Sequence, residues 1–274
     1  MAKFISFLKT HPLCTAIIAI VVAMFSIKML PAETFLQEGI IRMLLCGTML
    51  FFLYQISGER TTSACGNSTG YVIKVGIGFL VFAAVVGIFG FMTTVATSDL
   101  RPDWLFQLAC LAYMMLGVGL FEELTFRAIL NDAIIIHFRN SKKAFLISAI
   151  VTSLVFGGLH VLGAPINNPM GILQAVLKTL SSGVFGLGLL FLYWKTRNIW
   201  ACGIIHGGYD FILSFSRAFT QTGMESSGYV VAGNGAIAVC VVYIVTGLIT
   251  AFITWRIWKS VKKDLDFEKL RQEW

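Results

Sequence analysis

Charge is what this sequence has least of. Only 13% of its 274 residues are charged and 57% are hydrophobic, with a mean hydropathy of +0.81, whereas a soluble domain carries roughly 25% charged residues. That shortage excludes an ordinary soluble globule and leaves an integral membrane protein. Linkers, low-complexity tracts and internal repeats are also missing, so residues 1–274 read as a single integral membrane domain. No apolar run alternates with polar residues, which excludes a membrane barrel. The six cysteines include no CxxC pair. Cys14, Cys46, Cys110, Cys202 and Cys240 fall in apolar runs and only Cys65 in a polar loop, so neither a disulfide framework nor a thiolate metal site is expected.

What is present is a series of apolar runs, each near the ~20 residues that cross a bilayer in helix. They divide the chain into eight expected spans, at 12–30, 36–56, 71–96, 104–136, 144–163, 170–194, 199–216 and 229–257. The expected fold is therefore all-α, a polytopic bundle of eight transmembrane helices. The basic N-terminal stretch leads into a long apolar run without a small-x-small cleavage pattern, which reads as a retained first span. The net charge of +7 does not point to nucleic acid, because the cations cluster at the ends of apolar runs and in the tail from Arg256 to Arg271, as orientation signals and contacts to anionic lipid. With the N-terminus inside, only Lys28, Arg42, Arg101 and Arg217 fall outside, while Arg127 and Lys178 remain in mid-span. Both termini are expected on the cytoplasmic side. Without an organelle signal, the expected location is the cell membrane of a bacterium.

The fourth span is too long. Its 33 residues would make a helix of about 50 Å, against a hydrocarbon core of about 30 Å. Its second half mixes Arg127, Asn131, Asp132 and His137 with apolar residues, which suggests an interfacial or cavity-facing helix. Small residues four apart, Ser182 with Gly186 and Gly203 with Gly207, mark faces where helices can approach closely.

Ionisable groups inside a span cost about 2.5 kcal/mol or more and are functional candidates by default. They occur here as Glu122, Glu123 and Arg127, as His160, and as His206 with Asp210. Glu123 and Arg127 stand four apart in the favourable acid-first order and can pair. Glu122 points about 100° away and is left without a partner on its own helix, as suits a general base. His206 and Asp210 are also four apart, so the carboxylate can orient the imidazole. Gly207 and Gly208 leave backbone open to another helix.

"EELTFR", "FGGLH" and "HGGYD" fit EExxxR, FxxxH and Hxxx(N/D) in order, each in an apolar span. Together they resemble the CAAX protease and bacteriocin-processing (Abi) family of intramembrane endopeptidases, over a core of about 104–216. The resemblance implies a polar intramembrane cavity in which Glu122 and His160 activate a water, and His206 and Asp210 face the oxyanion. Glu123, Arg127 and Phe156 would support the site. It implies no cofactor, and as partner a membrane-associated protein or peptide: a prenylated tail, a bacteriocin or a signalling-peptide precursor. Two positions depart from the usual pattern. Ala128 stands where glycine often follows the motif arginine, and Asp210 stands where many members have Asn; an ionised Asp cannot donate to an oxyanion. Either Asp210 is protonated, or it orients His206 while His206 donates.

Other readings use the same residues. Glu122, His160 and His206, with Asp210, could ligate zinc and leave a position for water, although no HExxH is present. A non-proteolytic scaffold or immunity protein could keep the polar groups for helix specificity. A transporter could use them as a proton relay, but repeat halves are missing. One difficulty concerns depth: His206 lies early in its span from the inside and His160 near the far end of its own. Their meeting requires tilt, or a break at Gly157 and Gly158.

Overall fold

A computed structural model of the chain describes residues 2–58, 68–97, 100–220 and 228–274. Arg60 and Cys65 lie outside them. Every regular element among the described residues is helical. A short α1 (Ala2–Thr10) precedes α2 (Pro12–Met29), which starts on a proline whose fixed φ suits a first helical position. Thr34 begins α3 (Phe35–Ser57) by accepting a hydrogen bond from the Gln37 amide at 3.2 Å. Next come α4 (Thr69–Thr97) and α5 (Trp104–Glu123), which continues through a π-helical turn, Leu124–Leu130, into α6 (Asn131–His137). After α7 (Ala144–Leu159), Asn168 caps α8 (Pro169–Thr196), and Asn198 caps α9 (Ile199–Ser214). A 3-10 turn, Phe215–Phe219, closes α9, and α10 (Ala236–Val261) and α11 (Phe267–Glu273) complete the chain.

Among the described residues, six stretches are long and apolar enough to cross a membrane: Pro12–Met29, Phe35–Ser57, Thr69–Thr97, Trp104–His137, Pro169–Thr196 and Gly233–Asp264. The protein is thus a multi-pass, all-α membrane protein; six such helices stand among the described residues, and the expected count of eight is not reached by length and composition alone. The expected fifth and seventh spans are α7 and α9, of 16 residues each. At ~1.5 Å per residue each reaches about 24 Å, short of a ~30 Å core. Short helices are tolerable here because their inner faces meet protein and a polar cavity rather than lipid.

Side-chain contacts gather the helix ends into two groups. At one end, Ser57 on α3 bonds Asp132 on α6, Asn198 bonds Ser68 and Thr69 at the start of α4, and Lys195 pairs with Asp264 after α10 at 2.9 Å. Phe145 at the start of α7 stacks edge-on with Trp274 there. At the other end, the Arg101 amide bonds the Phe219 carbonyl, and Gln174 exchanges two bonds with Val231. Both α7 and α9 therefore run from the first end toward the second. The loops carrying Arg139, Lys142 and Lys143 and carrying Lys195 and Arg197 share the first end.

The second half of the fourth span is for the most part neither interfacial nor cavity-facing: Phe126 at its start lines the cavity and His137 at its end is exposed, but the polar residues between them are buried in protein. Residues 123–135 are all buried, packed among α2, α3 and α7. The polar groups of Asn131 and Asp132 are satisfied within the protein. Asp132 accepts from Ser57 at 2.5 Å, from the Tyr193 hydroxyl at 3.2 Å and from Arg197 at 3.4 Å, while Asn131 accepts from Ser148 at 2.7 Å and from the Trp194 indole at 2.9 Å. That network replaces the water an interfacial helix would need. Among the described residues the cysteines Cys14, Cys46, Cys110, Cys202 and Cys240 are all free thiols.

Candidate active site

Successive side chains on α5 diverge by about 100°, so adjacent glutamates enter different surroundings. Glu122 keeps 19% of its side chain exposed, whereas Glu123 has none. Helix α9 brings His206 against both. It can do so because Gly119 on α5 lies backbone to backbone against Gly203 and Gly207; a Cβ at 119 would collide with the Gly207 amide and the Gly203 carbonyl. The small-residue stripe on α9 is thus what sets the imidazole within reach of the acids.

His206 is bracketed. Its Nδ1 lies 2.7 Å from Glu123 Oε1, while its Nε2 lies 3.6 Å from Glu122 Oε2 and 3.4 Å from Asp210 Oδ2. Nδ1–H therefore donates to Glu123, and Nε2 is presented to the other two carboxylates. Of the two roles the sequence left open for Asp210, protonated group or orienter of His206, the second meets a geometric difference: the i,i+4 carboxylate lies against Nε2, while a glutamate from the neighbouring helix holds Nδ1. A second proton, on Nε2, would be available for donation into the site.

Arg127 is buried and shares the same oxygen of Glu123, with Nη1 at 3.3 Å. Its Nε donates to the Gly186 carbonyl at 3.4 Å, and its guanidinium carbon sits 3.9 Å from the Phe156 ring centre. A side chain at 186 would occupy the space of the guanidinium and of Phe156, so the Ser182/Gly186 stripe seats this arginine. Nη1, Nη2 and Glu123 Oε2 make no hydrogen bond. The ion pair and the aromatic face are their main compensation.

Phe156 forms the partition of the site. Its ring stands edge-on to His160, at 4.7 Å between centres, and to His206, at 5.8 Å. His160 caps α7 and turns Nδ1 back onto the Phe156 carbonyl at 2.8 Å, so that nitrogen donates and Nε2 is left as an acceptor. Helical side chains lean toward the N-terminus, and this lean brings His160 down from the helix end to the level of Phe156. Helix α7 runs unbroken through Gly157 and Gly158. Gly157 instead marks the close crossing with Thr179 and Gly183 of α8.

Glu122, Phe156, His160, His206 and Asp210 line one cavity of about 660 Å³. The other two supporting residues, Glu123 and Arg127, stand behind its wall. Several lining residues went unassigned in the sequence: Arg42, which pairs with Glu38 at 2.6 Å, Tyr209, stacked on Phe185, and Lys178 with Tyr229. For Lys178 the signal was its mid-span position. The π-helical turn directly after Glu123 had no sequence signal; such turns recur at functional sites. Among the described residues no group of three or more His, Cys, Asp or Glu side chains is disposed to hold a metal ion.

Apolar helices enclosing a cavity that carries carboxylates and imidazoles define a polytopic membrane protein with a polar intramembrane site. Residues 103–212 match the family model described as type II CAAX prenyl endopeptidase, Rce1-like. The match runs from the residue before α5 into α9 and takes in all three motifs, so the resemblance drawn from them is borne out over this stretch. It supports a CAAX-type endopeptidase activity in general terms, that of a peptide-bond hydrolase. No curated protein and no solved structure matches the chain.

Proposed function

We propose that the protein is a metal-independent intramembrane endopeptidase of the glutamate type, cutting a membrane-associated protein or peptide. The observation that carries this reading is the convergence of Glu122, His160, His206 and Asp210 on one cavity. Substrates of fitting chemistry are a prenylated protein tail, a bacteriocin or a signalling-peptide precursor. The cations near the first end of the bundle support a cell-membrane orientation with cytoplasmic termini.

In this mechanism Glu122, open to the cavity, removes a proton from a water as its oxygen attacks the scissile carbonyl. His160, with Nδ1–H held by the Phe156 carbonyl, accepts from that water through Nε2 and orients it. His206, held by Glu123, donates from Nε2 to the oxygen on which negative charge develops. The proton taken by Glu122 then passes to the leaving amine. Glu123 and Arg127 do no chemistry; they fix the imidazole and cancel charge behind it.

Glu122→Gln keeps the shape of the side chain and removes the base. Purified into detergent and given a fluorogenic S-farnesylated peptide, this variant should elute and melt as wild type does while losing about 10³-fold in cleavage rate. Retained cleavage would reject the mechanism.

A further inference from the structure

Among the charged side chains lining the cavity, Lys178 has no task in the chemistry proposed above. Lys178 sits in the middle of α8, lines the catalytic cavity, and among the described residues makes no ion pair and no hydrogen bond through its ammonium. Its Nζ rests 4.2 Å from the centre of the Tyr229 ring, which in turn lies 6.0 Å from His160. A cation in mid-span, stacked on an aromatic face and free of a counter-ion in contact, is expensive to keep without a use. It shares the lining of one cavity with Asp210 and Glu122.

The charges around the cavity explain the need. Glu123 and Arg127 neutralise one another behind the wall. On the lining, Glu38 pairs with Arg42 at 2.6 Å, while two further carboxylates, Glu122 and Asp210, stand within 3.6 Å and 3.4 Å of a single nitrogen of His206. Once Glu122 has taken up the proton of the water, an oxyanion forming beside this nitrogen still meets the carboxylate of Asp210 and is offered one imidazole. An ionised Asp210 offers it no donor.

We infer that Lys178 supplies the missing positive charge: from across the cavity its ammonium offsets Asp210 and stabilises the oxyanion as it develops. The inference rests on the peptidase reading of the same site. It makes Lys178 an electrostatic partner of Asp210, acting on the transition state more than on substrate binding. Tyr229 holds the ammonium in place without neutralising it.

Four variants test this with the farnesylated fluorogenic peptide: Lys178→Met, Lys178→Arg, Asp210→Asn in the Lys178→Met background, and Glu122→Gln. Lys178→Met should lower kcat by about 10²-fold, the scale of losing one oxyanion contact, with KM within about threefold. Lys178→Arg should recover most of that loss. Asp210→Asn should recover at least about tenfold in the Lys178→Met background, since it removes a negative charge and adds an amide donor. Should Lys178→Met fail to purify, Lys178→Gln carries the same measurements. An unchanged kcat, a loss confined to KM, or a loss that Asp210→Asn leaves in place would each overturn the inference. Cleavage by Glu122→Gln would instead overturn the peptidase mechanism itself, so the two failures are distinguishable.

Discussion

Two adjacent glycines on α9 should respond in opposite ways to the same substitution. A Cβ at Gly207 would lie 2.5 Å from the Met115 carbonyl oxygen and 2.9 Å from the Leu116 Cα, both backbone atoms of α5. Neither can rotate aside. Ordinary contacts of this kind stand at about 3.3–3.6 Å, so the helices must separate by about 1 Å. Overpacking of this size costs about 1–3 kcal/mol. The functional loss should be larger, because His206 is the next residue and its bond to Glu123 spans 2.7 Å; an added ~1 Å takes it past the limit of a hydrogen bond. Misplacement on that scale can remove about 10²-fold of rate. At Gly208 the nearest atom to a new Cβ is Leu80 Cδ2 at 3.4 Å, the end of a flexible side chain. Gly208→Ala should therefore keep activity within about twofold and raise the melting temperature slightly, alanine being favoured over glycine in a helix by about 0.5–1 kcal/mol. Both variants are measured in detergent by thermal melting with a thiol-reactive dye and by cleavage of the farnesylated peptide. Equal behaviour of the two, whether both harmless or both damaging, would refute the claim that α5 and α9 meet through Gly207.

Two further outcomes follow from contacts away from the reacting groups and one from the reacting groups as metal donors. Arg127→Met should destabilise the protein by about 3–5 kcal/mol, since Glu123 is left buried without its counter-charge; adding Glu123→Gln should restore the melt but not the activity, and a melt unaffected by Arg127→Met would contradict the pairing. Asp132→Ala should lower the melting temperature through loss of the Ser57, Tyr193 and Arg197 contacts, about 1–3 kcal/mol, yet leave kcat within about threefold, because this network lies at the end of the bundle away from the cavity. Prolonged dialysis against chelator, with metal content followed by elemental analysis, should leave cleavage unchanged; loss of activity restored by zinc would favour the ligand set Glu122, His160 and His206.

The membrane class, the helical fold and the polar positions were readable from the sequence because hydropathy and ionisable residues in apolar runs are strong signals. Span lengths were less readable. Composition cannot tell a helix of 16 residues lined by a cavity, such as α7 or α9, from a longer one bathed in lipid. Asn131 and Asp132 were misjudged for a related reason: polarity marks a departure from lipid, but whether the partner is water or Trp194 and Tyr193 depends on tertiary packing. The bond between Glu123 and His206 escaped as well, since residues 83 positions apart have no local periodicity to connect them. Its trace lay in the Gly203/Gly207 stripe, which signalled a close helix crossing without naming the helix crossed.

The division of labour between Glu122 and Glu123 follows from surroundings rather than residue type. The two carboxylates are neighbours in sequence and approach opposite nitrogens of one imidazole. One has Arg127 at its side and no exposure, which fixes its charge and its geometry; the other opens into the cavity, where a water can reach it. Environments that differ this much assign different chemical roles to identical groups. In the proposed mechanism the buried member of the pair serves the exposed one, because Glu123 holds His206 so that Nε2, and not the ring face, is presented to Glu122 and Asp210. A conservative exchange at either position should consequently fail in a distinct way, through the base at 122 and through the orientation of the imidazole at 123.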